Sequence, residues 1–346
     1  MLLKVSSYYS DNVNYKFLYP KKDYLSLIES LRNRTFKLHN ILINDEILNN
    51  SKQKKIFFIE SHTNRDRKLE NARQACSVES GARTNPDMDI YFIFVTNSSG
   101  IDMQYSDLID VLMSYNNIHL RFLNPIEFSK GTILEDFFQD DKLKDSNYQI
   151  EHMSDILRVL LLNKYGGQYL DLDVLSLVQL STINQANFAC CEDKNVVTNA
   201  VLNLDLDRGL NVSTLYARTL AKNYKPKTWS GNGPIMLTSV VKSFCPGIDL
   251  ITENSTKCGE YFTTLPRDKC YPIMYGIWTK MYEEKNRDEV LNKIKKSEAI
   301  FVHIWNKMQD FGKKTYKLPF TSHAAYIELA KEYCPGVYKT LEKYFR

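Results

Sequence analysis

A chain of 346 residues, 43% hydrophobic and 25% charged, suits one large α/β domain or two with an ample core. Its formal charge of +4 is small for the length, which argues against nucleic-acid binding and gives only weak support to an anionic partner such as a nucleotide. No apolar run approaches the roughly 20 residues of a membrane-spanning helix, and the stretch opening "MLLKVSSYYS" is too short for a signal-peptide core.

"KKIFFIES" (54–61) is an apolar run bounded by charge and reads as a buried strand. "RKLENARQACSVESGART" follows with helical content. "MDIYFIFVT" (88–96) is a β-prone strand closed by Asn97-Ser98-Ser99-Gly100. "YSDLIDVLMSYN" reads as an amphipathic helix and "IHLRFLN" (118–124) as another strand. "HMSDILRVLLLNKYGG" has apolar positions 156, 157, 159, 160 and 161, a dense helical face stopped by Gly166 and Gly167. The strand "QYLDLDVLSL" comes next. This alternation implies an α/β fold, a mostly parallel sheet wrapped by helices, with ligands at the carboxyl ends of its strands. Beyond Cys190 the pattern turns irregular, which implies loops and helices closing over the sheet with no clean second domain boundary.

Asp171 and Asp173 interrupt that last strand, and alternation would send both carboxylates to one face. Such a pair reads either as a divalent-metal site or as a solvated strand end. Asp87–Asp89 and Asp205–Asp207 repeat the spacing but read as a strand entry and a capped turn. Upstream, Asp155 and Arg158 share a helix face, as a surface ion pair or as ligand contacts on a nearly apolar helix. The two glycines let the backbone bend and approach a ligand. Downstream, Trp229, Asn232, Gly233 and Pro234 form a loop that reads as a sugar-stacking site or as an ordinary turn. "FVHIWNK" places Phe301, His303 and Trp305 at alternate strand positions, with His303 a core residue or a metal ligand.

Together these stretches resemble a known family. "SDILRVLLLNKYGGQYLDLDVLSL" resembles the helix–Gly-Gly–DxD block of glycosyltransferases with a DxD sugar-binding motif. "FFIESH", "ARQACSVESGARTNP", "WSGNGPIMLTSVVKSFC", "CGEYFTTLPRDKCYPIMYGIW", "VHIWNK" and "EYCP" resemble the lactosylceramide 4-alpha-galactosyltransferase branch and its alpha-1,4-N-acetylglucosaminyltransferase relatives. The resemblance runs from about residue 56 to 336. It implies a GT-A-type, Rossmann-like domain with an irregular C-terminal acceptor-side region. Within it, 1–52 would be a stem-like segment, 53–182 the nucleotide-sugar half with the DxD motif, and 183–346 the C-terminal half.

The implied chemistry is retaining alpha-1,4 transfer of galactose, or N-acetylgalactosamine, from a UDP-sugar to a galactose-ended glycolipid or glycan, with Mn²⁺ or Mg²⁺. By the matched positions Asp173 and Asp171 would be catalytic, Asp173 holding the metal and Asp171 contacting metal or ribose, with His303 as a third ligand or a diphosphate contact. Asp155, Arg158, Tyr165, Gly166, Gly167 and Asp171 would line the donor. Trp229, Asn232, Gly233, Pro234 and Trp305 would line the acceptor side, although Ser230-Gly231-Asn232-Gly233-Pro234 departs from the Gly-His-Gln-Gly-Pro of relatives. The alternatives are an alpha-1,4-N-acetylglucosaminyltransferase, a DxD phosphohydrolase, or a non-catalytic carbohydrate-binding protein.

The family also implies the Golgi lumen and a type II membrane anchor. The present N-terminus shows none, so it is expected to be incomplete or atypical. A lumenal site suits five sequons (Asn33, Asn49, Asn97, Asn211, Asn254) and seven cysteines. In that setting Cys245 and Cys258, flanking 12 residues (258 − 245 − 1), are expected to pair, a closure worth about 3 kcal/mol, and Cys76 is expected to pair with Cys334.

Overall fold

The computed structural model describes residues 35–42, 46–62, 66–69, 71–183, 185–247, 255–259, 261–308, 318 and 321–344. Most of the segment expected over 1–52 lies outside these residues, as do the sequons Asn33 and Asn254. The strands are β1 (Thr35–Lys37), β2 (His39–Asn40), β3 (Lys55–Glu60), β4 (Asp66–Arg67), β5 (Asp89–Val95), β6 (Asp102–Gln104), β7 (Ile118–Leu123), β8 (Gly167–Leu170), β9 (Val174–Ser176), β10 (Phe188–Asp193), β11 (Val196–Leu204), β12 (Thr256–Cys258), β13 (Phe262–Leu265) and β14 (Phe301–His303).

Nine of them form the central sheet in the order β12-β13-β10-β11-β8-β3-β5-β7-β2. Five of its eight neighbouring pairs are parallel, and β11 and β12 are the antiparallel insertions. The inner strands are rich in β-branched and aromatic residues because both of their faces are covered. Along β3, Ile56 and Phe58 enter one core while Phe57 and Ile59 enter the other; Ile90, Phe92 and Phe94 of β5 separate in the same way from Tyr91, Ile93 and Val95.

The Ala72–Thr84 helix covers the first core and the Gln149–Tyr165 helix the second. The second helix buries residues on nearly every side, including His152, Asp155 and Arg158. It stops at Gly166, whose φ of 62° favours glycine. No helix among the described residues is long and apolar enough to cross a membrane.

From β3 the chain steps outward to β5 and β7, then returns to place β8 on the other side of β3. That reversal makes the carboxyl ends of β3 and β8 the point where such a sheet usually takes its ligand. A separate two-stranded sheet pairs β9 with β14, setting His303 opposite Val174. The strand expected through Asp171 and Asp173 is broken there: β8 ends at Leu170 and the Asp-Leu-Asp residues make a turn, closed by the Val174 amide on the Asp171 carbonyl (3.0 Å). Two carboxylates carried within a continuous apolar strand would cost too much to bury, and the turn lets the chain switch sheets at that point.

Three disulfides fasten the layers. Cys76–Cys334 and Cys245–Cys258 form as expected, and Cys190–Cys270 joins them. Cys191 stays reduced and buried. Beside the first disulfide, the buried Glu79 carboxylate accepts the Gly336 and Val337 amides (2.8 and 2.7 Å) at the start of the Pro335–Tyr344 helix, together with the Tyr115 hydroxyl (2.6 Å). A carboxylate there meets the positive end of the helix.

Candidate active site

The turn after β8 brings Asp171 and Asp173 together, and the β9–β14 register brings His303 beside them. One ligand atom from each of the three lies within 4.8 Å of the others. Their side chains are 27%, 15% and 11% exposed, so Asp171 faces solvent most.

Asp173 is held from the segment that follows β14. Its Oδ2 accepts the Asn306 amide (3.0 Å), its carbonyl accepts the Ile304 amide (2.8 Å), and its Oδ1 lies 3.2 Å from His303 Nε2. Burial pushes the Asp173 carboxyl above the usual range, against the opposing pull of His303 and the backbone amides. The Trp305 amide donates to His303 Nδ1 (3.2 Å), so a neutral ring presents Nε2–H to Asp173. A cation ligated by the ring would replace one of these contacts. Two carboxylates and an imidazole form a donor set that fits a hard-to-borderline divalent ion such as Mg²⁺ or Mn²⁺.

Asp171 is held from the other side by a buried network. Arg158, only 4% exposed, places Nη1 3.0 Å from Asp171 Oδ1 and 2.8 Å from the Asn199 carbonyl. Its Nη2 reaches Ser154 Oγ (2.9 Å) and Asp155 Oδ1 (3.3 Å), its Nε donates to the Ser154 carbonyl (3.2 Å), and its guanidinium lies over the Tyr169 ring (4.3 Å). Tyr169 in turn donates to Asp171 Oδ1 (2.8 Å) and receives the Ser154 hydroxyl (2.9 Å). Burial opposes the charge on Arg158, but Asp171, Tyr169 and Asp155 outweigh it and raise its pKa. Asp155 moves the other way: burial lifts its carboxyl above the ordinary range despite Arg158. Arg158 therefore orients both acids through contacts within the protein, and the surface ion pair considered from the sequence does not exist.

Asp155 has a second neighbour set. Asn199 on β11 donates to its Oδ1 (2.8 Å), and the backbone at Gly233 passes so close that a Cβ there would lie 2.6 Å from the same oxygen. The Tyr216 hydroxyl lies 2.9 and 3.0 Å from the Asn232 and Gly233 carbonyls and steadies this approach. Asn232 is fully buried, and its side chain accepts the Lys225 amide (2.8 Å) and donates to the Lys225 carbonyl (3.1 Å), so it fastens the loop and has no face toward a ligand. Pro234 opens the Pro234–Phe244 helix. Trp229 is 43% exposed.

Tyr165, Gly166 and Gly167 lie at the opposite end of β8 from Asp171. Tyr165 packs among Phe57 and Phe128; a Cβ on Gly167 would meet the Lys55 carbonyl at 2.8 Å and one on Gly166 would meet Leu206 at 3.1 Å, so these glycines admit the start of β8 between β3 and the chain leaving β11. Trp305, beyond the strand, takes a left-handed conformation (φ 55°), packs its ring 4.3 Å from that of His303 in a tilted contact and donates through Nε1 to the Ile273 carbonyl (2.8 Å). Asp205 Oδ1 accepts the Asp207 and Gly209 amides (3.1 and 2.8 Å), the capped turn its sequence implied. Sequence reasoning missed Ser154, Tyr169, Asn199 and Tyr216. The nine-residue β-prone run Val196–Leu204 was the one signal that could have pointed to Asn199.

Residues 71–189 match the glycosyltransferase sugar-binding region containing the DXD motif. With the acidic cluster at the carboxyl end of β8 in a largely parallel sheet, this makes the protein a glycosyltransferase of GT-A type, a hexosyltransferase. Residues 206–341 match the alpha 1,4-glycosyltransferase conserved region. The chain is 30% identical over 290 residues to the lactosylceramide 4-alpha-galactosyltransferases of Mus musculus and Homo sapiens, covering 84% of this chain and 76% and 78% of theirs. It is 23% identical to the Homo sapiens alpha-1,4-N-acetylglucosaminyltransferase, over 78% of this chain and 76% of that one. The solved PaToxG glycosyltransferase aligns over 94% of this chain and 95% of its own at 13% identity and a TM-score of 0.42, a likeness too distant to argue from. The chain belongs to the alpha 1,4-glycosyltransferase family.

Proposed function

We propose that the protein moves galactose, or N-acetylgalactosamine, from a UDP-sugar to a terminal galactoside of a glycolipid or glycan, in alpha-1,4 linkage and with retention. The observation that carries this is the Asp171–Asp173–His303 cluster at the sheet's reversal point, backed by the buried Arg158–Asp155 pair. The relatives named for alpha-1,4 transfer support the linkage.

Asp171, Asp173 and His303 would hold Mn²⁺ or Mg²⁺, and the bound ion supplies Lewis-acid neutralisation of the leaving diphosphate. Arg158 keeps Asp171 aimed outward. Asp155, whose Oδ1 is taken by Asn199 and Arg158, offers Oδ2 to a hydroxyl of the donor sugar. A buried acceptor of this kind discriminates against sugars that leave it unpaired, which suits selection at the axial 4-hydroxyl of galactose. In same-face attack the acceptor oxygen bonds to the anomeric carbon as UDP leaves with the electron pair of the old C–O bond, and the acceptor proton passes to the departing phosphate. Residues 53–182 would serve the donor and 183–346 the acceptor, with Trp229 and Trp305 on the acceptor side. Three disulfides and the exposed sequons Asn49, Asn97 and Asn211 support a Golgi-lumen location with a type II anchor, as proposed for the family.

A panel of UDP-sugars with Mn²⁺, reading nucleotide release with and without β-galactosides, tests the assignment. UDP-galactose should be used first and UDP-N-acetylgalactosamine next. Preference for UDP-glucose would overturn the donor, and preference for UDP-N-acetylglucosamine would move the protein to the other branch of its family.

A further inference from the structure

Glu192 occupies an irregularity in β10. Cys191 pairs with Val197 and Asp193 with Val196, so Glu192 has no partner opposite it and the strand bulges there. Bulges of this kind re-aim a side chain and recur beside active sites. Its carboxylate is half-buried and makes no hydrogen bond among the described residues; burial lifts it above the usual carboxylate range, and His303 is among its ionisable neighbours. The Cys190–Cys270 disulfide ties this strand to the segment Tyr271–Tyr275, and the His303 amide donates to the Cys270 carbonyl (3.2 Å). From that segment Tyr271 packs 5.5 Å from the His303 ring, while Tyr275 stands edge-on to Trp305 at 5.8 Å and remains 52% exposed.

The Tyr275 ring therefore offers an open aromatic face one ring removed from His303. The Glu192 carboxylate, which has no protein donor among the described residues, lies close enough to Tyr271 and to His303, a proposed metal ligand, to act electrostatically on both. An aromatic face for the apolar side of a pyranose and a carboxylate for its hydroxyls are the two contacts a hexose needs.

We propose that Tyr275 and Glu192 form a subsite for the terminal hexose of the acceptor, Tyr275 stacking on the sugar ring and Glu192 accepting its hydroxyls, with the Cys190–Cys270 disulfide tying their two segments together. The subsite rests on the transfer reading above. It explains why Trp305 is turned inward: that side chain buttresses Tyr275 and leaves the stacking to it.

The test is lactose binding in the presence of UDP and Mn²⁺, followed by saturation-transfer NMR for the wild-type protein, Glu192→Gln, Tyr275→Ala and Tyr275→Phe. Binding about tenfold weaker in Glu192→Gln and in Tyr275→Ala, and nearly preserved in Tyr275→Phe, with UDP affinity unchanged throughout, supports the subsite. Wild-type lactose binding in either weakened variant, a parallel loss of UDP affinity, equal loss in Tyr275→Phe and Tyr275→Ala, or no lactose binding to the wild type overturns it. The transfer reading fails separately: lactose bound at this site with no nucleotide released from any UDP-sugar removes the activity and leaves the subsite standing.

Discussion

Asp171 and Asp173 are two positions apart in sequence but are supported by different parts of the molecule. Asp171 is clamped by Arg158 and Tyr169 from the Gln149–Tyr165 helix and β8, Asp173 by Asn306 and His303 from the C-terminal side. Each acid therefore has its own positioning device, and loss of one does not free the other. Asp173→Asn is nearly isosteric, so it should keep the wild-type melting curve while lowering metal-dependent transfer about 100-fold or more; Asp207→Asn, in its exposed turn, should change turnover less than about twofold. Wild-type turnover in Asp173→Asn would contradict the metal assignment. Gly233→Ala places a methyl 2.6 Å from Asp155 Oδ1, within a loop that Tyr216 holds. It should cost about 1–3 kcal/mol in urea unfolding and weaken donor use, as Asp155 is pushed off Asn199. The clustering of the Asp pair with His303 was legible in the sequence, the pair from its spacing and His303 only once the family resemblance weighed it against a core role. The saturation of Arg158 by protein acceptors was not, since it depends on β11 lying against the helix, a contact between segments about forty residues apart.

At the scale of elements, the strands β3, β5 and β7 and the helices between them were readable from period and turn residues, because each is locally self-consistent. Two features were not. The Asp-Leu-Asp turn looks like a strand because apolar residues flank it on both sides, and only the β9–β14 pairing shows that the chain changes sheets there. The bulge at Glu192 has no local signature at all. The start of the C-terminal helix is anchored by Glu79, which accepts two of its first amides, beside the Cys76–Cys334 bond and the buried Val337. Glu79→Ala leaves those amides and the Tyr115 hydroxyl without their acceptor, and should lower stability by about 2–4 kcal/mol in urea unfolding, with the Cys76–Cys334 bond still formed. A change below about 0.5 kcal/mol would show that the disulfide and the packing of Val337 hold the helix without Glu79.

At the scale of the whole molecule, one sheet runs through both halves of the chain, and the disulfides lock its covering layers to it. Cys190–Cys270 escaped sequence reading because adjacent Cys190 and Cys191 offer two equivalent choices, and only the fold turns one toward Cys270 and the other inward. The unfolded, unreduced protein should titrate one thiol per chain and the reduced protein seven; three thiols before reduction, with Cys190 and Cys270 alkylated in a peptide map, would remove the Cys190–Cys270 bond. In the folded protein that thiol should alkylate slowly, because burial removes access and pushes its pKa up to about 11.

The central claim is alpha-1,4 galactosyl transfer at the Asp171–Asp173–His303 cluster. Its most direct test is incubation with UDP-galactose, lactose and Mn²⁺, followed by digestion of the trisaccharide with α- and β-specific galactosidases and linkage analysis. The account predicts a product that forms only with a divalent metal, is cut by the α-specific enzyme and is joined at the 4-position. A product cut only by the β-specific enzyme, or formed equally well without metal, would contradict it.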